Sequence, residues 1–160
     1  MPGLTFVTTD PGSPAAVATL WAYYDDIVGR YWGRAALPGE TDAAVADEPS
    51  ADLQGDTGVL VLGMLHGVLV ACGGVRFVGG GVGSLTRVYV APAARGSGAG
   101  AGLLAHLEVL AAEAGLTRLR LTVRSDLVEA RRLYARSGYL EVAPFNTEPY
   151  AEHWLAKELP

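Results

Sequence analysis

The sequence predicts an α+β, or mixed α/β, fold in one domain that spans residues 1–160. Half of the residues are hydrophobic and 18% are charged, which is typical of a globular protein and too apolar for a disordered chain. Short runs rich in β-branched and aromatic residues alternate with longer segments whose apolar residues recur at helical spacing. Because we find no internal repeat and no second block of different composition, we expect a single domain.

The first part of the chain is predicted to contain a short strand and a long helix. Residues 4–8 are dense in β-branched and aromatic side chains, which favours a strand. Ser13 followed by Pro14 marks a helix start, because a hydroxyl can cap the helix and proline suits its first position. The helix is expected to bury one stripe at helical spacing: Val17, Leu20, Tyr24, Ile27 or Val28, and Tyr31.

The rest of the chain alternates between predicted loops, strands and helices. Residues 33–57 are rich in proline, glycine and acids, which predicts a long loop with one helical turn at about 42–46. Turns are indicated by His66-Gly67, as in a hairpin, and by Gly79-Gly80-Gly81. Strands are predicted at 59–62, 68–71, 84–90, 119–123, 139–143 and 153–159. One helix is predicted from about Gly98 to Gly115, with a stripe of Leu103, Leu107, Leu110 and Ala114, and another from the cap Asp126 to Gly138, with Leu127, Ala130 and Tyr134 on one face.

Charge is unevenly distributed along the chain. The net charge is −5; residues 1–60 hold nine acids and two arginines, whereas residues 84–138 hold eight arginines and four acids. An acidic protein with one local basic stretch is a poor nucleic-acid binder. The basic stretch can instead meet a small polyanion, and the acidic part can attract a cationic co-substrate. Both sets of charges also fit solvated surfaces.

The sequence argues against a membrane span, an internal disulfide and a structural metal. The single Cys72 excludes an internal disulfide and a cysteine-built zinc site. The N-terminus lacks a basic stretch followed by an apolar run, so no signal peptide is predicted. The most apolar stretch, residues 59–75, is interrupted by glycines, whereas a membrane helix needs about 20 apolar residues. We therefore expect neither a membrane span nor a metal.

The most informative segment follows the predicted strand at 84–90. It reads Arg95-Gly96-Ser97-Gly98-Ala99-Gly100 and leads into a helix. The first N–H groups of a helix have no internal partner and carry partial positive charge, so small residues there let phosphate oxygens approach them. Arg95 can add a charge-assisted contact or brace the loop. The same pattern also fits a tight connection between a strand and a helix.

Three kinds of phosphate-binding loop can be compared with this segment. A P-loop needs Gly-Lys followed by Ser or Thr, but the one lysine of the chain is Lys157. A dinucleotide fingerprint is nominally matched by Gly96, Gly98 and Ala101. That fingerprint requires an acid at the end of the next strand, where Arg124 stands. The third pattern, Arg or Gln-x-x-Gly-x-Gly or Ala after a strand carrying Val-x-Pro, is met at every position.

This loop, together with a second motif, resembles the GNAT superfamily of N-acetyltransferases. The second motif, Ala130-x-x-Leu133-Tyr134-x-x-x-Gly138-Tyr139, is similar to the family's Ala-x-x-Leu-Tyr-x-x-x-Gly-Phe/Tyr. The tail from Pro144 to Trp154 also resembles one bacterial single-domain subgroup, so that the resemblance covers about residues 58–159. It implies a cytoplasmic enzyme that uses acetyl-CoA as co-substrate and needs no metal.

The resemblance also implies a particular sheet and site. The sheet would be mixed and mostly antiparallel, flanked by helices, with strands 4 and 5, at about 84–90 and 118–123, splayed apart. Pantetheine would lie along the first of these and pair with the backbone of Val88 and Val90. In the family, the N–H at the position of Val88 faces the thioester carbonyl, where it can stabilise developing negative charge. Tyr134 stands where the family has a tyrosine that can protonate the departing thiolate, although its helical stripe also fits the core.

The resemblance leaves the general base open. Many relatives carry a glutamate at the position of Ser84, which cannot act as a base, and an asparagine at the position of Leu127. The family's acceptor pocket borders the first helix, whose aromatic residues fit a pocket wall or a core: Trp21, Tyr23, Tyr24, Tyr31 and Trp32. The remaining candidates for the base are Asp25, Asp26, Glu148 and His153, with a chain of water molecules as the alternative.

The expected function is direct transfer of an acetyl group from acetyl-CoA to a primary amine within a ternary complex. The acceptor is a small-molecule or peptide amine that the sequence does not identify. Ser84 suggests an alternative, a noncatalytic acetyl-CoA-binding module of the same fold. A dinucleotide-dependent oxidoreductase is a third interpretation. Both a monomer and a homodimer fit the sequence, and neither nucleic acid nor a membrane is an expected partner.

Overall fold

The computed structural model describes residues 3–160, which form a seven-stranded sheet flanked by helices. The strand order is β1-β2-β3-β4-β5-β7-β6. Neighbouring strands are antiparallel except β4 and β5, which are parallel. The strands are β1 Leu4–Thr8, β2 Gly58–Leu65, β3 Val68–Gly79, β4 Val82–Val90, β5 Arg118–Val123, β6 Leu140–Glu141 and β7 His153–Glu158; the helices are α1 Pro14–Trp32, α2 Glu40–Asp47, α3 Ala99–Glu113 and α4 Val128–Arg136. The predicted fold class is confirmed.

Strands β4 and β5 pair at one end and then separate. The parallel pairing joins residues 82–84 of β4 to residues 118–120 of β5 and does not continue to Val90 or Val123. Within the unpaired part, Arg87 and Val88 of β4 stand opposite the single Gly73 of β3, which is a β-bulge. A bulge bends the strand that carries it, and Arg87 accordingly has a φ of 58°. The splay implied by the family resemblance is present.

The sheet buries apolar side chains on both faces. Val61 belongs to a core that packs against α3 and α4, whereas its neighbours Leu60 and Leu62 belong to a second core beneath α1. This alternation follows from the two-residue period of a strand. Helix α3 lies so close to β3 that a Cβ on Gly73 would come within 2.9 Å of Leu107. Cys72 is fully buried in the α1-side core.

Helix α1 begins as predicted and buries Leu20 and Tyr24 of the predicted stripe, but not the two ends of that stripe. The Ser13 side chain accepts a hydrogen bond from the Ala16 N–H, with Pro14 at the first position. The expected core residues Val17 and Tyr31 are about half exposed. The buried side chains are Ala16, Thr19, Leu20 and Tyr24. Small residues at two of these positions allow the helix to approach the sheet, which rotates the larger Val17 outward.

The loop predicted at 33–57 contains a longer helix than the single expected turn. Helix α2 spans Glu40–Asp47. The Glu40 carboxylate accepts the Leu37 N–H at 2.6 Å and pairs with Arg34, which stabilises the first turn. Thr41 then donates to Asp25 at 2.9 Å and holds α2 against α1. These tertiary contacts compensate for a segment that has little helical patterning of its own.

Three further predictions need correction. Asp126 does not cap α4; its carboxylate binds the Arg124 guanidinium, and α4 begins after Leu127 without a side-chain cap. The strand predicted at 139–143 is reduced to β6, because the chain leaves the sheet in an irregular segment rich in proline. On α3 the predicted Ala114 lies outside the helix and is exposed.

No helix within residues 3–160 is long and apolar enough to cross a membrane.

Leu103→Ala should destabilise the protein by about 2–5 kcal/mol, because it removes a fully buried side chain between α3 and the sheet. Val109→Ala on the same helix is the control, since Val109 is 56% exposed, and its unfolding free energy should change by less than about 0.5 kcal/mol. Urea unfolding followed by circular dichroism measures both values. Equal losses for the two variants would contradict the assigned core face of α3.

Candidate active site

Two cavities meet where β4 and β5 separate. The helix-mouth cleft, about 300 Å³, lies between the end of β4, the start of α3 and helices α1 and α4. The β4–β5 cavity, about 480 Å³, lies on the other side of the gap and is lined by Ser84–Val88 and by the segment around Glu148. Residues common to both linings are Tyr23, Ile27, Val88, Leu127 and Ala130. A ligand in either cavity can therefore reach the other at Val88.

Free backbone N–H groups line the helix-mouth cleft. Gly96 and Gly98 have φ angles of 79° and 88°, which side-chain-bearing residues rarely adopt. The N–H groups of Gly96, Gly98, Gly100 and Ala101 have no acceptor within residues 3–160, and all four residues line the cleft. Together with the positive end of the α3 dipole, they have the chemistry needed to bind an anion. Ala101 was missed by sequence reasoning, although a match to the weaker dinucleotide pattern included it.

Two residues of the predicted loop do not line the cleft. The Ser97 hydroxyl donates to the Ala94 carbonyl and accepts the Ala99 N–H at 3.3 Å. Ala99 itself is buried. The Ser97 hydroxyl is thus bonded within the loop, and its side chain does not line the cleft. The N–H groups that stay open to a ligand are those of the three glycines and Ala101.

Arg95 braces the cleft through an ionic network. Its Nε donates to the Val90 carbonyl at 3.0 Å, and its Nη2 lies 3.4 Å from Asp26 on α1. Asp26 also lies 3.5 Å from Arg30, which binds Glu129 on α4 at 2.6 Å. The hydrogen bond from Arg30 lowers the pKa of Glu129 below its usual value. All four charged groups line the cleft and join its walls, although such partly exposed pairs contribute about 0–1 kcal/mol each.

Val88 and Val90 occupy the free edge of β4. Both line the helix-mouth cleft, and Val88 lines the β4–β5 cavity as well. The bulge at Arg87 and Val88 is stabilised by a hydrogen bond from β3, because the buried Cys72 thiol donates to the Arg87 carbonyl at 3.2 Å. Burial raises the pKa of this thiol to about 12, so it remains a neutral donor.

Tyr134 lies in the β4–β5 cavity, one helical turn from Ala130 at the junction. Tyr134 is 7% exposed, and no hydrogen bond of its hydroxyl is found within residues 3–160. Burial, followed by the neighbouring Tyr23 phenol, raises the pKa of Tyr134 above its usual value of 10. The phenol is therefore protonated at neutral pH. Tyr23, on α1, lines both cavities, whereas Tyr24 is in the core and Trp21, Tyr31 and Trp32 are exposed.

The four candidates for the base lie in different places. Asp25 accepts a hydrogen bond from Thr41, and Asp26 belongs to the ionic network of the helix-mouth cleft. His153 bonds Ser125 and Glu141 and lines a separate pocket behind α4. Glu148 alone among the four lines the β4–β5 cavity, where it accepts a weak hydrogen bond from Thr122 at 3.4 Å. Within residues 3–160 no group of three His, Cys, Asp or Glu side chains is arranged to hold a metal ion.

Sequence comparisons match the chain to acetyltransferases. The model of the Acetyltransferase (GNAT) family matches residues 21–139. An IAA acetyltransferase of Azospirillum brasilense is 37% identical over 87 residues, which make up 52% of this chain and 54% of that protein. The chain thus spans about half the length of this relative.

Solved structures of similar proteins share the whole fold. A protein from Klebsiella pneumoniae, provisionally described as an acyl-CoA N-acyltransferase, has a TM-score of 0.74 at 26% identity, covering 98% of this chain and 97% of its own. An acetyltransferase from Streptococcus agalactiae has a TM-score of 0.77 at 12% identity, with coverage of 99% and 100%. PaiA N-acetyltransferase from Thermoplasma acidophilum, solved with coenzyme A, has a TM-score of 0.73 at 15% identity, with coverage of 96% and 99%.

Ala101→Glu should weaken CoA binding by about tenfold or more, because it places a carboxylate beside the free N–H groups of the cleft. The matched control is Ala105→Glu, one turn along the same helix, exposed and outside the cleft lining. A glutamate in the first turn also favours the helix dipole, so the melting temperature of Ala101→Glu should not fall. Calorimetric titration with CoA measures the affinity. Unchanged affinity in Ala101→Glu would remove the cleft as the CoA site.

Proposed function

This chain belongs to the acetyltransferase (GNAT) family, and on that premise we propose that it transfers an acetyl group from acetyl-CoA to a primary amine. Both substrates bind together, and the amine attacks the thioester directly. The observation that carries the proposal is the meeting of two cavities at the free edge of β4. One cavity has the chemistry for a diphosphate, and the other leaves room for an acceptor.

The helix-mouth cleft fits the diphosphate and pantetheine of CoA. Four N–H groups without protein acceptors can bind phosphate oxygens. Arg136 adds a positive charge that has no ion pair within residues 3–160. The unpaired edge of β4 at Val88 and Val90 offers backbone groups to the amide-bearing pantetheine arm. CoA bound in this way would deliver its acetyl group, an activated acyl donor, to the junction of the cavities.

Val88 and Tyr134 are assigned complementary roles in the transfer. As the amine nitrogen bonds to the acetyl carbon, negative charge develops on the carbonyl oxygen, and the Val88 N–H is the donor that stabilises it. The carbon–sulfur bond then breaks, and Tyr134 gives its proton to the thiolate. The nitrogen loses its surplus proton as it becomes an amide, and this proton returns through water to the Tyr134 phenolate. Support for this role of Tyr134 comes from its free, protonated hydroxyl in the β4–β5 cavity. The products are CoA thiol and the N-acetyl amine.

Glu148 is the base that this mechanism requires. An alkyl ammonium has a pKa of about 10 and must lose a proton before it can attack. The Glu148 carboxylate lines the β4–β5 cavity, and no cation lies within ion-pair distance of it in residues 3–160. Its oxygens can therefore accept the proton, either directly or through water. Ser84 stands where many relatives have glutamate. Because serine cannot act as the general base, a residue elsewhere in the chain must accept the proton.

The alternative remains a noncatalytic acetyl-CoA-binding module. Both interpretations predict that CoA raises the melting temperature, because a ligand that binds the folded state alone stabilises it. NAD should not raise it, which separates both from an oxidoreductase. An assay of thiol release over a panel of amines distinguishes the enzyme from the module. The absence of release with every amine would favour the module.

Tyr134→Phe should lower kcat by about 100-fold or more and change CoA affinity little, because it removes the proton donor of the leaving thiolate. The matched control is Tyr139→Phe, which loses a hydrogen bond to Glu108 at 2.9 Å and lines neither cavity of the site. This control should lose stability but retain kcat. Steady-state kinetics at saturating acetyl-CoA measure the effect. A wild-type kcat in Tyr134→Phe would exclude it from the mechanism.

Glu148→Gln should reduce kcat/KM most at neutral pH, and the deficit should narrow as the pH approaches about 10, where the amine deprotonates in solution. Glu152→Gln, in the same segment but bonded to the Ser125 N–H, is the control. Rates are compared from pH 7 to pH 10. A constant deficit across this range would show that Glu148 has a role other than that of the base.

A further inference from the structure

Next to the β4–β5 cavity, three residues stand in register across three strands, and two of them line the cavity. Arg76 on β3 stands opposite Ser84 on β4, and Ser84 stands beside Arg120 on β5. Residues in register share a face of the sheet, and Arg76 and Ser84 both line the cavity. A small side chain thus lies between two arginines. The gap above Ser84 has the charge and the space for an anion.

The two arginines of this row differ in the partners that their guanidinium groups bind. Arg76 forms a two-point ion pair with Asp52, at 2.5 and 3.1 Å. Arg120 has no ion pair within residues 3–160, and its buried Nε lacks any hydrogen-bond partner there. Its guanidinium lies 4.3 Å from the centre of the Phe145 ring, which holds it in place. A buried, unpaired N–H of a cation is costly, so Arg120 favours an additional acceptor.

Arg87 adds a third charge next to the row. The side chain is 7% exposed and lines the cavity. Its donors bind the hydroxyls of Thr86, at 2.7 Å, and Ser50, at 3.1 Å, and the backbone carbonyl of Glu48. Thr86 is two residues from Ser84 and on the same face. These neutral partners satisfy hydrogen bonds but not the charge, because no carboxylate in residues 3–160 pairs with Arg87.

We propose that the acceptor is an amine that carries a carboxylate, that is, an amino acid or a close analogue. The carboxylate binds above Ser84, within reach of Arg76, Arg87 and Arg120, and the amino group points toward Glu148 and the junction at Val88. This inference rests on the proposed acetyl transfer. Carboxylates are the natural partners of guanidinium groups, through charge-assisted and often two-point hydrogen bonds.

The position of the acidic residues agrees with a zwitterionic acceptor. Glu148 contacts Thr122, two residues beyond Arg120 on the same face of β5. The cavity therefore has Arg76 and Arg87 in its lining, Arg120 next to Ser84, and a carboxylate farther along it, and this order of charges matches an amino acid. Glu48 is the other acid that lines the cavity, and its backbone carbonyl accepts a hydrogen bond from Arg87. This carbonyl competes with a ligand for the Arg87 guanidinium. Complementary charges of this kind select among ligands more than they raise affinity overall.

The first test uses the unmodified protein with matched acceptors. Amino acids of several chain lengths are compared with their carboxamides and their decarboxylated amines in the thiol-release assay. For the preferred acid, kcat/KM should exceed that of its neutral partners by about tenfold or more, as expected for charge-assisted hydrogen bonds. Equal rates within every pair would overturn the inference while leaving acetyl transfer intact.

The second test places a carboxylate in the row itself. Ser84→Glu should occupy the gap, pair with Arg120, and remove the preference for binding acids over their carboxamides. Ser84→Gln has nearly the same shape without the charge and should retain most of the preference. Binding of the same acid and carboxamide pairs to the CoA-loaded protein is measured by calorimetry for all three proteins. An acid preference that survives in Ser84→Glu would overturn the proposal.

The binding measurement separates failure of this inference from failure of the proposed function. If no amine releases thiol but the acid still binds better than its carboxamide, the carboxylate site stands and the transfer reaction fails. If thiol is released and neither binding nor rate depends on the carboxylate, the transfer stands and the carboxylate site fails. If neither thiol release nor preferential binding of the acid is found, both are overturned.

Discussion

The separation of β4 from β5 is the constraint on which the rest of the site depends. The two strands pair over three residues and then part, with a bulge at Arg87 and Val88 inside the unpaired stretch. A parallel pair that continued would close the gap and leave no passage between the two sides of the sheet. Because it stops, two cavities meet at Val88, and the backbone edge of β4 becomes a surface that a ligand can use.

The two cavities differ in how they present positive charge. The helix-mouth cleft relies on backbone N–H groups and the dipole of α3, with its arginines largely tied into a network with Asp26 and Glu129. The β4–β5 cavity relies on side chains that extend from the sheet. Backbone donors suit a diphosphate, whereas charged side chains suit a small charged group. The proposed acetyl transfer assigns the first cavity to the cofactor and the second to the acceptor.

Sequence reasoning succeeded where a local rule decides the conformation. Ser13 and Pro14 begin α1, His66-Gly67 forms the hairpin turn, and glycines precede α3. It failed where packing or a competing side-chain partner decides. Val17 is exposed because Ala16 and Thr19 face the sheet, and Asp126 binds Arg124 instead of capping α4. Helix α2 forms because Thr41 and Glu40 find partners in α1 and the preceding loop.

The sequence by itself determined the fold class, the glycine-rich helix start and the motif around Tyr134, because these depend on residues close together in the chain. Only the tertiary structure decided that Ser97 and Ala99 do not line the helix-mouth cleft and that Glu148, of four candidate bases, lines the β4–β5 cavity. It also brought Arg76, Ser84 and Arg120 into one row. Strand register and helix packing join residues far apart in sequence, and no local pattern records which of them will meet.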